Sequence, residues 1–184
     1  MADAQELKIV FTGPMGAGKT TAIAAISDTP PVLTDVVNND HAAFDKDTTT
    51  VALDYGQIML DNGVAVRLYG TPGQDRFAFM RQVLCRGAIG IVLLLDGSHE
   101  NALGSLESFM GDIRTLDPMP ALVVGIGRSP SSNSPVVTQC TALLERMGFN
   151  LPVFRVDVRR REDVLLLIET LVCLLEAATS EDIA

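Results

Sequence analysis

The residues best equipped for chemistry in this sequence are the run GPMGAGKT, Gly13 to Thr20. Gly13, Gly18, Lys19 and Thr20 fill every fixed position of the pattern glycine, any four residues, glycine, lysine, serine or threonine. Glycines let the backbone curl so that successive N–H groups point inward, and a helix starting nearby adds its positive end. Lys19 supplies charge, and the Thr20 hydroxyl is a ligand for a magnesium ion. Gly13, Met15, Gly16, Ala17, Gly18, Lys19, Thr20 and Thr21 are therefore expected to wrap the phosphates of a nucleoside di- or triphosphate. The run is nearly silent on the base.

A second candidate is YGTPGQDRF, Tyr69 to Phe77. Its Pro72-Gly73 pair makes a turn at the carboxyl end of a strand, where ligands sit in open parallel sheets, so Gly73 can offer an unobstructed N–H to a terminal phosphate. The same letters suit a plain turn ahead of a helix bearing Phe77, Met80 and Leu84. Asp96 closes the apolar run IVLLLD, from which an acid can approach an ion, although aspartate at a strand end is a common turn cap. His41 and His99 have no serine, cysteine or acid partner at a telling spacing.

These groups need a scaffold, and the periodicity supplies one. Glu6 to Thr12 reads as a buried strand and Lys19 to Ser27 as a helix stopped by Asp28-Thr29-Pro30-Pro31, so the glycine loop joins strand to helix. Pro30 to Thr50 is polar without a clear period and is a candidate mobile segment. Val51 to Leu60 and Val64 to Tyr69 flank Asp61-Asn62-Gly63, the strongest short-range sign of a tight hairpin. Strand-like runs at Ala88 to Leu95, Ala121 to Ile126 and Pro152 to Val156 then alternate with helix-like runs at Asn101 to Leu116, Val136 to Met147 and Glu162 to Ala177. Such alternation implies a mostly parallel sheet with crossover helices on both faces. The last helix is expected to bury Leu165, Ile168, Leu171, Val172 and Leu175 and to wet Glu169 and Glu176.

Composition narrows the classes. The 184 residues suit one domain, and 47% hydrophobic residues supply a core. A formal net charge of −9, with only 14 Lys plus Arg, argues against nucleic acid or an anionic membrane as a general partner, so an anionic ligand must be gripped locally. Cys85, Cys140 and Cys173 form neither a disulfide framework nor a zinc spacing, which fits a reducing cytoplasm. The longest apolar runs are too short to span a bilayer, and neither Ala2 nor the ending SEDIA fits a lipidation signal. Direct membrane insertion is not expected.

With both motifs in hand, the chain resembles the Ras-like small GTPases. More narrowly, it looks like a bacterial branch that includes the polarity-switch GTPases of gliding bacteria and the GTP-binding members of actinobacterial signalling operons. GPMGAGKT, TTTVALDYG, YGTPGQDRF, the IVLLLD strand and VDVRRREDV carry the resemblance. It implies a three-layer P-loop G domain over residues 1–184, with a six-stranded, mostly parallel sheet bearing one antiparallel edge strand. It also implies GTP or GDP with Mg2+ as ligands. Lys19 would meet the terminal phosphates, and Thr20 with Thr50 would hold magnesium, Thr49 standing in for Thr50 if the register differs. Gln74 would orient the attacking water. Asp157 and Val158 would support the base through their backbone, and partners would be regulatory or effector proteins, including small ones of roadblock type; Arg128, by its own chemistry, is either a stacking partner for the base or a solvated loop arginine.

The resemblance fails at two places. Gly70 stands where the family usually has an aspartate that reaches magnesium through water. VVGIGRSPS puts Gly127 and Pro130 in place of the asparagine and aspartate that read guanine, a carboxylate contact that can supply roughly 10⁴ to 10⁵ in discrimination. No arginine lies between Asp28 and Thr50, and because a supplied arginine is worth about 10³ to 10⁵ in rate, hydrolysis should be slow. The leading expectation is a GTP-binding switch. A pseudo-GTPase interaction module and a P-loop ATPase using Asp96 remain as alternatives.

Overall fold

Runs such as LKIVFT, GIVLLLD and ALVVGIG have no polar face and must be covered on both sides. The structure is a computed structural model that describes residues 7–30, 32–36, 51–60, 63–74, 77–129 and 134–181. In chain order it forms β1 (Leu7–Thr12), α1 (Lys19–Ile26), β2 (Val32–Val36), β3 (Val51–Met59), β4 (Ala65–Gly70), α2 (Ala78–Cys85) and β5 (Gly90–Asp96). There follow α3 (Ala102–Ile113), β6 (Ala121–Gly127), α4 (Val136–Arg146), β7 (Val153–Arg155) and α5 (Arg161–Glu181).

The strands lie in the order β2-β3-β4-β1-β5-β6-β7. Parallel pairing joins β4 to β1, β1 to β5, β5 to β6 and β6 to β7. β3 runs against both β2 and β4. Period-two alternation then splits the core into two layers. Val10, Ile91, Leu93, Leu95, Leu122, Val124 and Ile126 face α2, α3 and α4. Ile9, Phe11, Val92, Leu94 and Val123 face α1 and α5. This is the expected three-layer α/β architecture.

Two details differ from the sequence reading. The sheet gains a seventh strand, β2, inside the stretch read as polar and aperiodic. Five residues are too few to show a period, and β2 is specified by pairing Val32 to Val36 with Tyr55 to Val51. The antiparallel strand β3 is consequently second from the edge. In α5, the fully covered residues are Val164, Leu167 and Leu171, while Val172 is 43% exposed. The buried stripe follows spacings of three and four from Val164, a phase that leaves Val172 next to, but outside, it.

The hairpin is as expected. The Leu60 N–H donates to the Val64 carbonyl, the Gly63 N–H to the Leu60 carbonyl, and Gly63 has φ of +80°. α1 ends against α5, where the Arg161 guanidinium donates to the carbonyls of Ala25 and Ile26 at 3.2 and 3.0 Å. Those carbonyls belong to the last turn of α1, which has no onward helical partner for them. α1 is thereby held with its N-terminus at the carboxyl ends of β1 and β4.

Candidate functional site

β1 lies between β4 and β5, with α1 on one face of the sheet and α2 on the other, so a crevice opens beyond the carboxyl end of β1. The loop from Gly13 to Gly18 fills it. Gly18, with φ of +95°, starts α1, and a Cβ there would stand 2.8 Å from Val158 Cγ2. Gly13, at φ of +139°, passes the Leu94 carbonyl too closely for any side chain. Gly16 also has positive φ, and Met15 and Gly16 face outward while Ala17 is buried. Thr21 is exposed on the first turn of α1.

Lys19 is buried, only 8% exposed, and folds back so that its ammonium donates 2.8 Å hydrogen bonds to the Gly13 and Pro14 carbonyls. Burial pushes its pKa down to about 8; Asp54 pulls it up and Arg81 pushes it further down. A buried cation pressed against two carbonyls at a helix N-terminus favours an anion that shares its charge.

Asp54 is the functional candidate that sequence reasoning missed. It lies on β3 directly opposite Gly70 of β4. A Cβ on Gly70 would meet Asp54 Cβ and Oδ2, each at 2.9 Å, so the neighbouring strand's carboxylate occupies the space next to the glycine. The Thr20 hydroxyl donates to Asp54 Oδ2 at 2.6 Å. The signal was present: counting outward from the Leu60–Val64 pair across the Asn62-Gly63 turn brings position 54 opposite position 70. A hydroxyl and a carboxylate in contact beside a phosphate loop are hard oxygen donors of the kind magnesium selects, so the residues fit that ion.

The β4–α2 segment closes over the loop. The Thr71 N–H donates to the Phe11 carbonyl at 2.9 Å, and the Thr71 and Thr12 hydroxyls share a buried hydrogen bond of 2.9 Å. These contacts bring Gly73 onto the glycine loop so tightly that a Cβ would collide with the Met15 amide nitrogen and lie 2.6 Å from the Pro14 carbonyl carbon. Gln74 is exposed, and its side-chain amide reaches Met15 Sδ at 3.9 Å.

The far side of the crevice is organised differently. Arg128, at φ of +49°, donates to Asp96 Oδ2 at 2.8 Å, and Asp96 Oδ1 accepts from the Ser98 hydroxyl and N–H. Burial raises the Asp96 pKa, but the Ser98 and Arg128 hydrogen bonds outweigh it and the net shift is downward. Asp96 is thus a turn cap and an ion-pair partner. Asp157 accepts from Nε and Nη2 of Arg159 at 2.8 and 2.7 Å, which lowers its pKa to about 2. Its own N–H donates to Asp163 Oδ2, tying the loop to the first turn of α5.

The glycine loop, Lys19, Thr20, Gly73, Gln74 and Val158 are therefore gathered in one crevice. The side chains of Arg128 and Asp157 are engaged with their own ion partners, and Gly127 is buried at the end of β6. Thr50, its stand-in Thr49, His41 and Pro130 lie outside the described residues. Among the described residues no group of three or more His, Cys, Asp or Glu forms a metal cluster, and no helix is long and apolar enough to cross a membrane. The three cysteines are free thiols; burial raises the pKa values of Cys85 and Cys140 to about 11, which makes them unreactive.

Comparison with known proteins agrees with this geometry. The GTP-binding protein ypt4 of Schizosaccharomyces pombe is 28% identical over 66% of this chain and 50% of its own length. The Ras-related protein SEC4 of Saccharomyces cerevisiae is 26% identical over 77% of this chain and 63% of its own. An uncharacterised protein of Methanocaldococcus jannaschii is 31% identical over 50% of this chain and 53% of its own. The chain thus spans about half to less than two thirds of the length of these relatives. A family model described as "conserved hypothetical ATP binding protein" matches residues 11–113, more than half of the chain, from the last residues of β1 to the end of α3. The chain belongs to that family, and its similarity to Ras-related proteins supports a place in the P-loop GTPase superfamily.

Proposed function

We propose that the chain is a small nucleotide-binding regulatory switch that holds GTP or GDP with magnesium, hydrolyses GTP slowly, and changes its affinity for partner proteins when the terminal phosphate is lost. The observation that carries this reading is the convergence of Lys19, the Thr20–Asp54 pair and Gly73 on one glycine-lined loop. Lys19 exchanges its two carbonyl bonds for the terminal phosphates. Loop amides from Gly13 to Thr20 hold the remaining phosphate oxygens, and Gly73 donates its N–H to the last of them.

Thr20 and Asp54 hold the ion's site, with Asp54 supplying from β3 the carboxylate that Gly70 lacks. Thr50 is kept as a further ligand. Magnesium, when bound, neutralises charge on the phosphate oxygens. Gln74 turns from Met15 to orient a water on the terminal phosphate, and loss of that phosphate frees the Pro30 to Thr50 and Gly70 to Arg81 segments, the second segment meeting the glycine loop at Gly73. Regulatory or effector proteins, including small roadblock-type partners, would read that segment in the cytoplasm.

A second reading, ATP in place of GTP, is favoured by the family description and by the base side of the crevice. There the carboxylates of Asp96 and Asp157 are both held by arginines, and Gly127 carries no side chain. Isothermal titration with GTP, GDP and ATP separates the two: tighter binding of the guanine nucleotides is expected, and ATP binding as tightly or more tightly defeats the guanine assignment. Single-turnover hydrolysis by wild type and Gln74→Ala tests turnover, and equal rates remove Gln74 from the mechanism.

A further inference from the structure

α2 has the sequence AFMRQVLC, and its one charged residue, Arg81, points inward and is 4% exposed. Burying a guanidinium is unfavourable unless its donors are met, and an apolar side chain of the same volume serves helix packing as well or better. Here α3 holds it on two sides. Nη2 and Nε donate to Asp112 Oδ2 at 2.8 and 3.3 Å, and the guanidinium carbon lies 4.4 Å from the centre of the Phe109 ring. The remaining arm leaves the helix interface, and Nη1 donates to the backbone carbonyl of Gln74 at 3.3 Å.

That carbonyl also accepts the Phe77 N–H at 3.0 Å, so two donors fix its direction. α2 has no side-chain cap at its own N-terminus. Among the described contacts, the side chain that secures the backbone of the Gln74 turn is therefore Arg81, anchored one layer away on α3.

We infer that Arg81 is a positioning residue for Gln74: clamped by Asp112, its guanidinium holds the Gln74 carbonyl and so sets where the Gln74 side chain stands against the glycine loop. This rests on the reading of Gln74 as the residue that orients water. Lysine at position 81 keeps the charge but lacks the planar fork that reaches Asp112 and Gln74 together.

The test is a double-mutant cycle read by single-turnover hydrolysis, with nucleotide affinity measured on the same proteins. Arg81→Lys and Arg81→Met are each expected to slow hydrolysis about 10- to 100-fold, the range that a displacement near 1 Å produces, with affinity unchanged. In the Gln74→Ala background, Arg81→Met should cause no further loss, because the effect passes through Gln74. Asp112→Asn, which loosens the clamp and leaves the arginine in place, should slow hydrolysis in the same direction and serves if Arg81→Met does not fold. Unchanged hydrolysis in Arg81→Met or in Asp112→Asn overturns the inference, as does an equal loss with and without Gln74. A wild type that hydrolyses with Arg81→Met equal to it defeats this inference alone, one that binds nucleotide without turning it over defeats the proposed hydrolysis as well, and one that binds none defeats the reading of the site.

Discussion

The pairing of Asp54 with Gly70 makes a swap experiment decisive. In the wild-type chain a side chain at position 70 would meet Asp54 Cβ and Oδ2 at 2.9 Å, closer than real Cβ atoms approach, so Gly70→Asp alone should force the β3–β4 pair apart and damage the site. Asp54→Gly removes both obstructing atoms, and the contact then left is Ile23 Cδ1 at 3.2 Å, the flexible end of a side chain. Asp54→Gly alone strips Thr20 of its 2.6 Å acceptor and removes the carboxylate from the ion's surroundings. Outer groups of this kind contribute about 10- to 100-fold to metal affinity, or roughly 1.4 to 2.7 kcal/mol. The assay is dissociation of a fluorescent guanine nucleotide as free magnesium is varied. Asp54→Gly should raise the half-saturating magnesium by that factor, and Asp54→Gly with Gly70→Asp should recover much of it, because the carboxylate returns from the adjacent strand. An unchanged magnesium requirement in Asp54→Gly, or a Gly70→Asp chain that behaves like wild type, refutes the reasoning.

Other consequences follow from the loop. Burial holds the pKa of Lys19 at about 8 in the free chain, against an ordinary 10.5, and phosphates beside it should restore the higher value. Binding should then take up about 0.9 proton at pH 9, where the nucleotide is fully deprotonated, against about 0.1 at pH 7. Calorimetry in buffers of different ionisation enthalpy measures this, and a zero slope at pH 9 or the same slope in Lys19→Ala contradicts it. The nucleotide-free fold binds fewer protons than the unfolded chain between pH 8 and 10.5, so this residue makes stability rise with pH across that window. Gly73→Ala sets a methyl group against the Met15 amide and should push the turn off the loop. Affinity for GTP should fall while that for GDP changes little; equal losses would deny Gly73 its contact with the terminal phosphate.

The parts of the site that were legible in the sequence are those fixed by local rules. Positive φ at Gly13, Gly16 and Gly18, the Asn62-Gly63 hairpin and the strand-to-helix setting of Lys19 each follow from neighbours in the chain. β2 was hidden because five residues carry too little period and depend on β3 for their register. Asp54 was hidden for a related reason: its role exists only once β3 is laid beside β4, and an acid in a strand next to Tyr55 reads locally as a solvent-facing residue. Arg81 carries no local signal of burial, and only packing against Asp112 and Phe109 turns it inward. The side-chain engagements of Arg128 and Asp157 belong to the same class, since each depends on a charge whose loop geometry the sequence does not state.

The most direct measurement is equilibrium uptake of GDP with magnesium by the wild-type chain and by Lys19→Ala. Saturable binding of one nucleotide per chain is predicted, weakened about 10-fold or more in Lys19→Ala, as befits loss of a hydrogen bond to a charged group. Folded wild-type protein that takes up no nucleotide, or Lys19→Ala protein that takes it up undiminished, contradicts the account.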